Sequence, residues 1–372
     1  MNQLTTPAAI CRKAGAPWEI AELTLDEPRD GEVLIRVVAA GLCHSDEHIR
    51  LNSTGGNIRY PIIGGHEGGG VVEAVGPNVT RVAVGDHVAC SYIPVCGTCR
   101  YCSTGRQGLC DAGLNATTGK FLDGTYRFHS GGEDVGGMCT LGTFSKYIVV
   151  NQWSTVKIPD HIPFEIAALV SCGVPTGWGS SVYAAGVRAG ETVVIFGAGG
   201  VGSNAVQGAA YAGAGILAVI DPVTFKRSNA RDLGATDTFS NADDAFEFVR
   251  EVTRGQLADH AIITVGEIDE EVISQAVRIV GKGGQVTITS AGPGHVNVPS
   301  GMLMGYGRRV QGAIFGACNP LYDIPRLLRL YEQGRVKIGE LITRRYRLDE
   351  VTKGYDDMYA GRNIRGVLLH DD

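Results

Sequence analysis

Gly197-Ala198-Gly199-Gly200-Val201-Gly202 directly follows the β-forming run Thr192-Val-Val-Ile-Phe196 and opens a stretch of helical periodicity. Only in that strand-to-helix context does a Gly-x-Gly-x-x-Gly run carry information. Its glycines permit a tight turn, close backbone approach to a pyrophosphate and tight helix-on-strand packing, and the helix N-terminus adds partial positive charge. Asp221 ends the next β-run, nineteen residues after Gly202. A carboxylate there accepts hydrogen bonds from an adenosine ribose and repels a 2′-phosphate, which favours NAD over NADP. Lys226 and Arg227, one helical turn further on, temper that preference.

The surrounding chain repeats the same alternation. Strands are expected at 192–196, 216–220, 236–239, 260–265 and 284–289, with helices at 201–212, 225–233, 243–253 and 269–280. Such a series predicts an α/β fold, a Rossmann doubly wound parallel sheet over 174–314. Before it, short runs at 32–40, 70–75 and 145–150 between Gly and Pro clusters read as β. After residue 310 come two amphipathic helices, 321–333 and 349–360, and a strand at 365–370, a tail expected to return to the first domain. The second, mostly-β domain thus combines 1–173 with 315–372. The polar, Gly-rich stretch 111–142 is longer than a connection needs, and is expected to be a surface excursion near the cysteine-rich loop 96–110 that precedes it, or a subunit contact. At 372 residues the chain is too long for one core, and 44% hydrophobic residues suffice for two.

A formal net charge of -6 argues against bulk electrostatic binding of nucleic acid or anionic lipid, so no nucleic-acid or membrane partner is expected. The first nine residues lack a basic start with an apolar core, and no apolar run reaches the roughly 18 residues of a membrane span. A soluble, cytoplasmic protein is expected.

Ten cysteines could suggest disulfides, but the Cys-x2-Cys spacing favours thiolate–metal bonds instead. Cys96-x2-Cys99-x2-Cys102-x7-Cys110 places four thiols within fifteen residues, enough to close a tetrahedral structural zinc site with no vacancy. Cys43, His66 and Cys172, from three separated stretches, supply two thiolates and one imidazole and leave a fourth position open, the composition of a catalytic zinc site. Asp46 and Glu67 stand beside two of these ligands, where carboxylates orient an imidazole and tune the metal's charge. Two zinc ions per chain are therefore expected. Cys11, Cys90, Cys139 and Cys318 fall outside both sets and read as buried small hydrophobes.

Taken in order along essentially the whole chain, these residues resemble the zinc-dependent medium-chain alcohol dehydrogenases. The most specific match is Gly65-His66-Glu67-x2-Gly70-x5-Gly76-x2-Val79. Around it fall Cys43-His44-Ser45-Asp46-Glu47-His48, the four-cysteine loop, Cys172-Gly-Val-Pro-Thr-Gly, the glycine loop and Arg362-Asn-Ile-Arg365. The resemblance implies a GroES-like catalytic domain beside the Rossmann domain. It implies that Ser45 takes the alcohol proton and His48 passes it towards solvent, and that Arg365 meets the cofactor pyrophosphate. Tyr92 is similar to the aromatic wall of the family's substrate pocket. His44 stands where many relatives place an arginine on the pyrophosphate, and gives a weaker, pH-dependent anchor there.

The length of 111–142 resembles the long-loop, dimeric branch, implying a homodimer or higher homo-oligomer. Gly173-Val-Pro-Thr-Gly-Trp-Gly-Ser-Ser-Val-Tyr-Ala-Ala and Val219-Ile-Asp-Pro-Val are similar to the NDMA-dependent subgroup, whose members retain NAD through turnover and pass electrons to an external acceptor. The implied function is hydride transfer between a primary or secondary alcohol, or the matching aldehyde or ketone, and NAD. Two other readings remain open on sequence: a dehydrogenase of thiol adducts of formaldehyde, and a non-catalytic dinucleotide-binding zinc protein.

Overall fold

The computed structural model describes residues 4–292 and 295–371. It divides into two compact units, Met1–Cys172 with Asn319–Asp372, and Gly173–Cys318.

In the second unit, six parallel strands form one sheet in the order Asp237–Phe239, Ile216–Ile220, Thr192–Phe196, Ala258–Ile263, Val280–Ile288, Arg309–Gly312. The first strand of the chain's order lies at the centre, with the series running outward on both sides, as in a doubly wound fold. Thr192–Phe196 is buried along its whole length, which is why it reads as a continuous apolar run rather than an alternating one. The helix Gly200–Ala212 follows it directly. Val280–Ile288 begins four residues before the expected 284, because Gly281, Gly283 and Gly284 obscure its start in sequence. The edge strand Arg309–Gly312 adds to the expected series; its polar composition gives no β-run in sequence.

The first unit carries two β-systems. Glu32–Gly41 is the spine of a seven-stranded sheet, pairing with Gly68–Val75, Tyr147–Asn151 and the C-terminal strand Arg365–Leu369. Leu4–Cys11, Glu19–Leu25, Phe128–Ser130, Glu133–Gly137 and Ile62–Ile63 close into a small barrel, which leaves none of them an open edge.

That barrel corrects the expectation for 111–142. The stretch is not merely a surface excursion: it contributes two barrel strands, and Phe128, Val135, Met138 and Leu141 are buried. Gly131 and Gly132 both have positive φ and form a two-residue hairpin turn between them. Arg127, whose side chain is fully buried, ties the segment to the central sheet. Its Nε donates to Glu32 Oε2 at 2.8 Å, its Nη2 to Glu32 Oε1 at 2.5 Å and to Asp123 Oδ2 at 2.8 Å, and its guanidinium lies 4.3 Å from the Phe121 ring centroid. Among the described residues, no helix is long and apolar enough to cross a membrane.

Candidate metal centres and dinucleotide loop

The first site is assembled from three stretches of one unit. Cys43 ends the turn after Glu32–Gly41 and caps the helix His44–Leu51. Its backbone N–H donates to Asp46 Oδ2 at 3.0 Å, so the carboxylate one turn into the helix fixes the backbone of the thiol residue. His66 follows Gly65, whose φ is +87° and where a Cβ would lie 2.4 Å from Thr143 Oγ1 and 2.5 Å from Phe144 Cδ1. Only glycine permits this approach. Cys172 lies two residues beyond the helix Phe164–Val170, next to Ser171, whose hydroxyl accepts the Gly68 N–H at 3.2 Å and donates to Ala168 O at 2.6 Å.

The structure brings Cys43, His66, Glu67 and Cys172 together, with one ligand-type atom from each, all within 4.8 Å of one another. His66 Nδ1 lies 2.9 Å from Asp46 Oδ1, which leaves Nε2 as the ring nitrogen able to face a metal. A hydrogen bond from Cys172 holds the Cys43 thiol well below its usual range, with His66 adding to the effect against burial; Cys172 is pushed up in turn. Burial opposes the imidazolium form of His66, yet Asp46 and Cys43 raise it well above the ordinary histidine value. Two thiols, an imidazole and a carboxylate this close, with charge already shared among them, suit a soft divalent cation.

Glu67, expected as an outer group, brings one carboxylate oxygen into the same cluster. Its Oε2 pairs with Arg365 Nη2, while Oε1, fully buried, has no hydrogen-bond partner among the described atoms. Burial pushes this carboxyl up to about 7, against the pull of Arg365. Arg365 is itself buried. It donates from Nη2 to Leu42 O at 3.2 Å, and its Nε has no described partner.

The two expected relay residues lie on the helix His44–Leu51 that Cys43 caps. Ser45 Oγ lies 3.7 Å from Cys43 Sγ, and His48, 6% exposed, places Nδ1 2.7 Å from Ser53 Oγ. Ser53, five residues on and just past the helix, was not singled out from sequence, although its spacing from His48 is local. The Tyr92 ring meets the His66 ring edge-on, with centroids 5.4 Å apart, and the His44 ring packs edge-on against Tyr359 at 5.8 Å. Tyr355 was also missed: its hydroxyl donates to Asp46 Oδ2 at 2.8 Å from 309 residues away, a pairing no sequence spacing reveals.

The four-cysteine loop forms the second cluster, all four sulfurs within 4.8 Å of one another. Cys96 Sγ and Cys102 Sγ are 4.0 Å apart, as are Cys99 Sγ and Cys110 Sγ. A tetrahedron with zinc–sulfur bonds of about 2.3 Å has edges of about 3.8 Å, so the cage has the dimensions of a zinc site. Backbone N–H groups of Cys96, Cys99 and Cys102 point at sulfurs of the same loop at 3.3 to 3.4 Å. Against burial, such donors bring the Cys96 thiol down to about 6. Arg81 lies alongside and binds the carbonyls of Val95, Gln152 and Trp153, while Asn319 Oδ1 accepts the Gln107 N–H at 2.8 Å. The remaining thiols, Cys11, Cys90, Cys139 and Cys318, are buried, and burial pushes Cys90 up to about 12 and Cys139 to about 11.

In the other unit, Gly197 has φ +95° and Gly199 caps the helix Gly200–Ala212, which continues through Val201 and Gly202. A Cβ on Gly202 would lie 2.0 Å from Gly197 O, whereas one on Gly199 would meet nothing within 4 Å. The turn is thus closed on its inner side and open where a phosphate would approach. Asp221, 5% exposed, follows the strand Ile216–Ile220 and accepts the N–H groups of Ala198 and Val223, each at 2.8 Å. The glycine loop and the acid are therefore bonded to each other. Arg227 donates to the carbonyls of Asp221 and Pro222, and Lys226 is partly exposed on the same helix, Thr224–Asp232.

Residues 29–160 match the alcohol dehydrogenase GroES-like domain and residues 200–333 the zinc-binding dehydrogenase domain. The chain is 55% identical over 370 residues to the NDMA-dependent alcohol dehydrogenase of Amycolatopsis methanolica, covering 99% of each chain. It is 52% identical to a putative alcohol dehydrogenase D of Mycobacterium tuberculosis, covering 99% of this chain and 100% of that one. The crystal structure of an alcohol dehydrogenase zinc-binding domain protein from Burkholderia ambifaria superposes with a TM-score of 0.91 at 32% identity, covering both chains in full.

Proposed function

The chain belongs to the zinc-dependent medium-chain alcohol dehydrogenases, and we propose that it oxidises a small alcohol at the Cys43–His66–Cys172 site with NAD held on the Gly197–Gly202 turn. It is an enzyme of that class, a GroES-like domain joined to a Rossmann domain. The family implies zinc and NAD. The observation that carries the site assignment is the convergence of two thiols and one imidazole, with Asp46 on the far nitrogen of that imidazole.

Zinc at these residues supplies a Lewis acid that makes an alcohol hydroxyl more acidic, and NAD supplies the hydride acceptor. Cys43, His66 and Cys172 hold the metal, and Asp46 fixes the His66 ring. Ser45 accepts the alcohol proton, and His48 carries it on, with Ser53 Oγ at 2.7 Å from Nδ1 as its next partner. The Gly200 helix terminus and the open side of Gly199 receive the pyrophosphate, and Asp221 takes the ribose. Cys96, Cys99, Cys102 and Cys110 hold a second zinc that braces the fold, which gives two ions per chain. Tyr92, edge-on to His66, lines the substrate side, and Arg365 and His44 are the anchors for the cofactor pyrophosphate that the family resemblance implies. The assembly is a homodimer or higher homo-oligomer.

The thiol-adduct reading is not favoured, because the relatives at 52 to 55% identity are named alcohol dehydrogenases. That similarity also supports retained NAD with an external electron acceptor. Purified protein freed of small molecules should absorb as bound nicotinamide and should turn over alcohol with a nitroso dye. Two zinc per chain should be found, and Cys43→Ser should lose one of them, and turnover by at least about a thousandfold, with the fold intact. Undiminished activity in Cys43→Ser sinks the site assignment. Dependence on added NAD in every assay sinks cofactor retention.

A further inference from the structure

Asp46, fully buried, is gripped at both carboxylate oxygens. Oδ1 accepts from His66 Nδ1 at 2.9 Å and from the Gly65 N–H at 3.2 Å; Oδ2 accepts from the Cys43 N–H at 3.0 Å and from the Tyr355 hydroxyl at 2.8 Å. Three of these donors belong to the ligand-bearing segments themselves. The fourth comes from the helix Val351–Tyr359 near the C-terminus.

That fourth donor is aimed rather than incidental. The Tyr355 ring stacks on Trp18 at 6.2 Å and 25° and meets Phe144 at 6.4 Å, while Trp18 packs edge-on against Phe144 at 5.9 Å. Trp18 is fixed in turn by its indole N–H, 3.0 Å from Glu47 Oε1, and Arg50 holds Glu47 through both oxygens. Burial, with Asp46 adding to it, pushes the Tyr355 hydroxyl well above its usual range, so it remains a donor.

We propose that Tyr355 is a positioning residue for the metal ligand His66, acting through Asp46. An ionised carboxylate offers about four acceptor directions, and here all four are filled. The terminal torsion of aspartate is soft, so the plane of Asp46 is set by its partners, and the imidazole follows that plane. Without the phenol, Oδ2 keeps only the Cys43 N–H and the plane loosens. Outer partners of metal-bound histidines typically change metal affinity by about 10- to 100-fold, and with three donors left the lower figure, about tenfold, applies.

The inference rests on reading Cys43, His66 and Cys172 as a metal site, and the test separates the two. Tyr355→Phe is compared with Tyr346→Phe, whose hydroxyl donates to buried Asp357 on the same helix at 2.7 Å, an equivalent phenol–carboxylate bond with no link to Asp46. In full-length zinc-loaded protein, zinc release to a chelator is followed from the site that Cys43→Ser empties, and the visible spectrum is recorded with cobalt in that site. Tyr355→Phe should release zinc about tenfold faster and shift the cobalt band, with Tyr346→Phe matching the unaltered protein on both counts. Equal release from the two variants, or an unmoved cobalt band, overturns the proposal. Absence of metal from that site in the unaltered protein overturns the site reading and the proposal with it. Should Tyr355→Phe fail to fold, fluorotyrosine at 355 keeps ring and hydroxyl but strengthens the donor. It should move the cobalt band, and a constant band again overturns the proposal.

Discussion

Glu67 and Arg365, 298 residues apart, form a buried ion pair in which Glu67 Oε1 and Arg365 Nε are left without a described partner. Cys43 and Cys172 both raise the Arg365 pKa further, and a carboxylate oxygen of Glu67 stands among the ligand-type atoms of the first cluster. The pair thus places one positive charge behind a group of potential thiolates. Replacing Glu67 by Gln leaves that charge buried with a weaker partner, and should cost about 3 kcal/mol, the low end for breaking a buried pair. Adding Arg365→Gln should recover at least half of it. Urea unfolding of the single and double variants at saturating zinc measures both, and equal stability of Glu67→Gln and the unaltered protein removes the pair from any stabilising role.

His48→Gln should lower turnover by about a hundredfold, the lower end for loss of a positioned proton carrier, because the His48 ring, on the same helix as Ser45, is held by Ser53 Oγ at 2.7 Å just past the end of that helix. Added imidazole should restore part of the rate by substituting for the missing ring. A variant as fast as the parent, or one that exogenous bases leave untouched, removes His48 from the relay.

Arg127 and Glu32 lie 95 residues apart in sequence and exchange two charge-assisted hydrogen bonds inside the first unit. Arg127→Met should therefore destabilise the protein by about 3 to 5 kcal/mol, since Glu32 then keeps only the Arg29 N–H at 3.0 Å. Arg127→Met with Glu32→Leu should fall well short of that loss, as removing both charges leaves none stranded. Denaturant midpoints decide it, and additive losses in the double variant refute the pairing argument.

These pairs mark the limit of what the chain discloses before it folds. The glycine turn and the four-cysteine loop are local, so their geometry is carried by spacing over six and fifteen residues. Cys43, His66 and Cys172 are remote from one another, yet their chemistry is unusual enough that composition and family resemblance point to them together. Tyr355 gives no such hint: a tyrosine on an amphipathic helix is ordinarily core, and its partner is 309 residues away. Arg127 reads as a surface charge until Glu32 is placed beside it. The barrel hairpin was different, because Gly131-Gly132 between two short β-runs is a recognisable turn signal that the polar surroundings masked.

His370 links the end of the chain to the metal-binding segment and makes stability pH-dependent. Its backbone N–H donates to Val38 O at 3.0 Å, its Nε2 donates to Thr143 O at 3.0 Å, and Thr143 Oγ1 donates to Glu67 O at 3.0 Å. Burial holds the imidazole pKa down at about 4, opposed by the Thr143 carbonyl. In the unfolded chain an unperturbed histidine titrates near 6.5, so between those values the unfolded state binds the proton first and the folded state loses ground. The contribution is complete above about pH 6.5 and is lost as the pH falls through 4, a total of about 3 kcal/mol. His370→Gln keeps a donor for Thr143 but has nothing to titrate. Unfolding free energies of the two proteins at pH 7 and pH 4.5 should therefore diverge by about 2 to 3 kcal/mol in pH sensitivity, with the steeper fall in the unaltered protein. Parallel pH profiles would mean that His370 is protonated as readily in the folded chain as in the unfolded one.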